Sequence, residues 1–176
     1  MANMKRLGFG QVEPNHLSAQ RNGKIYAQLP ADAALSILEN GRFVKYDYAS
    51  GKVNLTGDGE WMLVFNEVKL YDDMWRESYK DFALQASNAV NGEIVPRVFK
   101  TDIGDIYTSN CFKLANTSGK AEIEMEEYAL NDKLCVNAAG FLEKKETPAA
   151  GEMVWKVVKV YTLADGQAAL KLQRIA

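Results

Sequence analysis

One run of residues occurs twice in this chain, in the same order. Gly23-Lys24-Ile25-Tyr26 returns as Gly104-Asp105-Ile106-Tyr107. Leu38-Glu39-Asn40, followed by Phe43-Val44, returns as Leu130-Asn131-Asp132, followed by Leu134-Cys135. Gly51-Lys52-Val53 returns as Gly140-Phe141-Leu142. Gly59-Glu60-Trp61-Met62-Leu63-Val64 returns as Gly151-Glu152-Met153-Val154-Trp155-Lys156-Val157. The spacing drifts, but a glycine opens most of the matched runs and apolar residues follow it. That is the pattern of two diverged copies of one β-rich unit.

The local signals agree. Short apolar runs are parted by turn dipeptides such as Asn40-Gly41, Asn91-Gly92 and Asp165-Gly166. Glu60 to Leu70 is the most strand-like run of the first half, with Trp, Val, Phe and Leu and few breakers. In the second half, strands are expected at Asp105–Leu114, Lys133–Asn137, Phe141–Glu143, Met153–Leu163 and Ala168–Ile175. Ala31 to Leu38 reads either as one or two helical turns or as a loop. The acidic run Ala121 to Leu130 reads as a strand or a short helix. Too few helices exist to make the crossovers of a parallel sheet. The fold class is therefore mainly β: two related antiparallel β-barrel or sandwich-like units, with an extended N-terminal arm and a short, partly helical insertion.

The boundaries follow from the repeat. Residues 1–22 form the arm, 23–71 the first β unit, 72–103 the connecting insertion and 104–176 the second β unit. The arm carries Gly8, Gly10 and Pro14, which disfavour regular structure, yet also the apolar Leu7, Phe9 and Val12. Such a segment docks on a partner or packs on its own body; the sequence allows both. In the insertion, Met74, Trp75, Tyr79, Phe82 and Ala83 fit one helical face in part.

Charge and composition narrow the function. The chain has 176 residues and a net charge of -2, without a concentrated run of Lys and Arg. Binding to free duplex DNA, which needs such a concentration, is not expected. No stretch of about 18 apolar residues exists for a membrane span, and the start lacks the apolar core of a secretory signal. The two cysteines, Cys111 and Cys135, lie in apolar runs and read as small buried hydrophobes.

Catalytic chemistry finds little footing. His16 is the single histidine, so metal sites built on two or three histidines are out of reach. Pairing of His16 with either cysteine would need a lowered thiol pKa, and nothing nearby supplies it. Glu122, Glu124 and Glu126 would share one strand face, where charge marks a solvent-facing edge. Asp72-Asp73 offers another carboxylate pair. No metal and no cofactor are expected. Trp61, Phe65, Trp75, Tyr79, Phe82 and Trp155 could make a sugar platform, but Trp61 and Trp155 begin matching strands, which suits a core.

The wording of several segments resembles a known family. The run from Gly8-Phe9-Gly10-Gln11-Val12-Glu13-Pro14 to Gln20, then Ile25-Tyr26-Ala27-Gln28-Leu29-Pro30 and Phe43-Val44-Lys45-Tyr46-Asp47-Tyr48, is similar to small head proteins of tailed bacteriophages. So are Gly59 to Tyr71, Tyr79-Lys80-Asp81-Phe82 and the closing Asp165 to Leu172. The resemblance implies a capsid decoration, or cement, protein. Its expected partners are the major capsid protein and itself, as a homotrimer, with no nucleic acid and no membrane. Its expected place is the exterior of the virion, after assembly in the host cytoplasm. On that reading the arm carries the contacts, with Phe9, Val12, His16 and Arg21 touching the capsid or a neighbouring copy. A carbohydrate- or receptor-binding β module of a virion is the alternative, and it would need exposed tryptophan.

Overall fold

The structure is a computed structural model that describes residues 5–14, 25–66, 83–116, 122–125, 127–163 and 166–176. Among these residues are many short β-strands, two 3-10 turns and no α-helix. The chain starts with β1 (Lys5–Leu7) and β2 (Val12–Glu13). It continues through β3 (Ile25–Gln28), β4 (Ile37–Glu39), β5 (Phe43–Asp47), β6 (Lys52–Asn54) and β7 (Trp61–Val64). Next come β8 (Ala83–Gln85), the 3-10 turns Ala86–Asn88 and Val90–Gly92, and β9 (Arg97–Phe99). The second half holds β10 (Ile106–Ser109), β11 (Leu114–Asn116), β12 (Glu122–Met125), β13 (Lys133–Val136) and β14 (Leu142–Lys144). It ends in the long hairpin of β15 (Val154–Thr162) and β16 (Ala168–Arg174).

The repeat is written into the topology. The first sheet runs β3-β9-β7-β5-β6 and the second runs β2-β10-β16-β15-β13-β14. Apart from β2, each strand of one sheet has its counterpart at the same place in the other, and all pairs are antiparallel. The chain just past the first strand then bridges in parallel to the third strand: Ala31 to Val53 in one unit, Phe112 to Leu142 in the other. Matching bonds hold these bridges, from Asp32 N–H to the Val53 carbonyl and from Lys113 N–H to the Leu142 carbonyl, each at 2.9 Å. Each sheet is thereby curled round towards a barrel.

This topology corrects two details of the sequence reading. The fifth strand of the first unit, β9, falls in the range assigned to the insertion, so the first unit extends to Phe99. The match of β5 to β13 is also offset by one residue from that read in the sequence, whereas Val53 and Leu142 correspond as read. Val44 faces Met62, and Leu134 faces Trp155. The equivalent bridge residues Val53 and Leu142 fix the alignment, because they pair with Tyr46 and Val136. Val44, not Phe43, thus corresponds to Leu134. In a strand that slip decides which face a side chain occupies.

The offset explains the packing. Val44, Met62, Val64 and Val98 point into the first unit's own core, together with Leu38 and Val53. Their neighbours Phe43, Leu63 and Phe99 point the other way and join the core of the second unit, around Trp155, Tyr107 and Leu172. The first sheet is therefore buried on both faces, which is why β7 reads Met-Leu-Val without alternation. Phe43 and Trp155 rings lie 6.1 Å apart, and Tyr107 meets Trp155 edge-on at 4.8 Å. Each fully buried side chain of this size contributes about 1.5–3 kcal/mol, so the seam between the units is a main source of stability.

Several local expectations resolve. Of the two readings of the N-terminal segment, residues 5–14 follow the one that packs on its own body: β1 pairs with β12 and β2 with β10. Ala31 to Leu38 is not helical but a bridge and turn leading into β4. Ala83–Gln85 of the expected helical face is a strand, paired with β4; the rest of that face lies outside the described residues. The acidic strand β12 is not an edge. It is the middle of three, between β1 and β11.

Candidate functional site

Two places concentrate polar chemistry. The first is a buried seam where the N-terminal segment meets both units. Glu39 ends β4 and accepts the Gly10 N–H at 2.6 Å and the Arg6 guanidinium at 3.2 Å. Arg6 and Glu39 are both nearly inaccessible to solvent. Gln11 N–H donates to the Asn110 side chain at 2.7 Å, and the Ser109 hydroxyl donates to the Gln11 carbonyl at 2.6 Å. The same Ser109 oxygen accepts from the Cys111 N–H. Gly41 sits at φ +90°, with Cys111 and Ser109 so close that a Cβ would overlap them. The seam thus needs a glycine for both conformation and space.

Cys111 lies at the centre of this seam without being a nucleophile. Burial first, and the Glu39 carboxylate second, push its thiol well above the ordinary range. A protonated, inaccessible thiol is a packing group. Cys135 is likewise buried, and both cysteines are free. The seam is a structural joint, built so that the backbone groups of residues 10–11 find partners after leaving water.

The second place is an open groove of about 810 Å³ on the line between the two units. Equivalent segments build its walls: residues 58–61 before β7 and residues 151–154 before β15. Residues 174–176 close one side, held in line with Val154 by the bonds from Ile175 N–H to the Val154 carbonyl and from Val154 N–H to the Ala176 carbonyl. Met153 and Val154 are buried beneath it, while Ile103 is 70% exposed at its rim. Trp61 is half-buried, with the Lys45 ammonium 4.9 Å from its ring centre, a cation–π contact that covers one ring face.

The charges of the groove are unevenly matched. Glu60 is paired with Lys100 at 3.1 Å and Glu152 with Lys145 at 2.8 Å. The Lys145 ammonium, followed by the Ala149 N–H, holds the Glu152 carboxyl below its ordinary value. Arg174 donates to the Thr101 carbonyl and hydroxyl and to the main-chain oxygen of Ala176. Lys45 and Lys133 form no ion pair among the described residues. Asp58 is the one lining acid in the same condition. Two lysines therefore face the groove without an ion pair, against one acidic side chain in the same condition.

The expected contact residues are placed differently. Val12 packs against the core of the second unit, and Phe9 is half-buried. His16 and Arg21 lie outside the described residues, as do Trp75 and Asp72-Asp73. Glu122 and Glu124 sit within β12. Among the described residues no three His, Cys, Asp or Glu side chains converge as a metal-binding set. Of the two tryptophans among the described residues, Trp155 is wholly buried and Trp61 half-buried. The groove itself was not anticipated. Its one signal in the sequence is Ile103, an apolar residue in the polar turn Thr101-Asp102-Ile103-Gly104. No protein-family model, no curated protein and no solved structure matches the chain.

Proposed function

We propose that the chain is a non-enzymatic structural protein of a virion, binding the outer surface of a phage capsid and stabilising it. The observation that carries this reading is the groove on the seam: an open, partly apolar cleft rimmed by unneutralised cations, set on a doubly buried sheet. Such a site binds without rearrangement, because its walls are β-strand ends anchored in a common core. The residues with chemical potential elsewhere are spent on structure: Cys111 in packing, Glu39 and Arg6 in the buried seam. The resemblance of the Gly8–Gln20, Ile25–Pro30 and Gly59–Tyr71 segments to phage head proteins supplies the partner. A homotrimer on the shell belongs to the same proposal; repetition over many sites multiplies a modest affinity.

The test is binding. Purified chain is added to heads of the encoding phage that lack it, and occupancy is measured by co-sedimentation and by mass of the particles. Saturable decoration with raised resistance of the heads to heat supports the proposal. Heads that stay bare at saturating protein overturn it.

A further inference from the structure

We infer that the groove between the two units seats an extended acidic segment of the partner protein. The inference rests on the shell-binding reading and names the surface through which it acts. The charge balance points to an acidic occupant. Glu60 and Glu152 already have lysine partners, whereas Lys45 and Lys133 form no ion pair among the described residues and, of the lining side chains, Asp58 alone stands against them. Complementary charge of this kind selects a partner and speeds its approach more than it adds raw affinity.

The apolar part of the groove points to a polypeptide. Ile103 and Ile175 are exposed at the rim above buried Met153 and Val154, which suits one aliphatic or aromatic anchor among acids. Nucleic acid is disfavoured, because the lining lacks the concentration of Lys and Arg that a phosphate backbone needs. A sugar ring is disfavoured, because Lys45 already covers a face of Trp61. The volume of about 810 Å³ is that of a pocket for a few residues, not for a folded domain.

The experiment compares the full chain with Lys133→Glu and Ile103→Asp, both at exposed side chains whose replacement leaves the core intact. Leu130→Asp, at an exposed residue outside the groove, is the control. Each protein is titrated onto heads lacking it, at low and at high salt, after circular dichroism has shown equal folding. The expected result is about a tenfold or greater loss for both groove variants, unchanged binding for the control, and weakening of the wild type by salt. If the wild type binds heads and both groove variants bind equally well, this inference is overturned while the shell-binding reading stands. If the wild type fails to bind, that reading falls first. If sedimentation of the chain alone shows an oligomer that the groove variants dissolve, the occupant is a second copy, and the inference is overturned on that ground.

Discussion

The Phe43 amide donates to the Gly140 carbonyl at 2.7 Å, so the second strand of the first unit is bonded to the β13–β14 turn of the second. That turn is organised by Asn137, whose side-chain oxygen accepts from the Ala139 and Phe141 amides. Gly140 sits in it at φ +81°, and a Cβ there would run into the Phe43 carbonyl. Gly140→Ala is expected to lower stability by about 3 kcal/mol in denaturant titrations. Gly104→Ala, at φ +96° but with open space around it, is expected to cost about 1–2 kcal/mol. Equal losses would show that the inter-unit contact is unimportant.

Sharing of one core makes unfolding a joint event. Phe43, Leu63 and Phe99 complete the packing round Trp155, so neither unit keeps its interior when the other melts. Tryptophan fluorescence and far-ultraviolet dichroism should report one coincident transition in urea. Phe43→Ala should shift that whole transition by about 3–5 kcal/mol. Two separated transitions would refute the shared core.

The buried Arg6–Glu39 pair is expected to show strong coupling. Removing one partner leaves a charge in an apolar setting, so Arg6→Ala should cost about 3–5 kcal/mol. Arg6→Met combined with Glu39→Gln should cost less than the sum of its single changes, because neither charge is then stranded. Glu39→Gln retains an acceptor for the Gly10 amide. Additive losses in the double-mutant cycle would deny the coupling.

Acid should loosen the second unit through two carboxylates. The Asn137 amide, and then Lys113, hold Glu143 below its ordinary 4.5, and Lys145 does the same to Glu152. A group lowered in the folded state adds stability above its unfolded pKa and loses it as pH falls through the folded one. The melting temperature should therefore hold near neutrality and drop below about pH 4.5. Lys145 is raised by Glu152, so its share persists until pH climbs past the ordinary 10.5. Lys145→Ala should flatten the acid limb; an unchanged profile would show that the pair carries no linkage.

Both thiols should resist modification until the fold opens. Burial, and then the neighbouring Glu152, push Cys135 up to about 11, and Cys111 is raised well above its usual value. A thiol reagent near neutral pH is expected to leave the native protein unlabelled and to modify two residues in denaturant. Prompt labelling of either cysteine in the folded chain would contradict its placement.

The strands were legible because turn residues bracket them: Asp47 to Gly51 and Asn137 to Gly140 close the same hairpin in both units. The second half matched especially well, since β13 to β16 carry their own glycine boundaries. The register was not legible. Phe43-Val44 and Leu134-Cys135 are apolar at both positions, and a strand buried on two faces gives no alternation from which to read its orientation. The N-terminal segment was ambiguous for a related reason. Gly10 and Gln11 look like loop residues, and only Asn110, Ser109 and Glu39, distant in sequence, supply the partners that bury them. The groove was hidden because Lys45, Ile103 and Lys133 meet only through the pairing of the two copies.

Met62, Leu63 and Val64 answer to two interiors in turn, their side chains alternating between the first core and the second. Heredity therefore treats this strand unlike any loop of the protein. A change at Leu63 must be tolerated by Phe99 beside it and by the interior of the sister copy, while a change at Met62 or Val64 is judged in its own unit alone. Once joined in this way, the twin units ceased to be interchangeable, and each later substitution in one became part of the environment of the other.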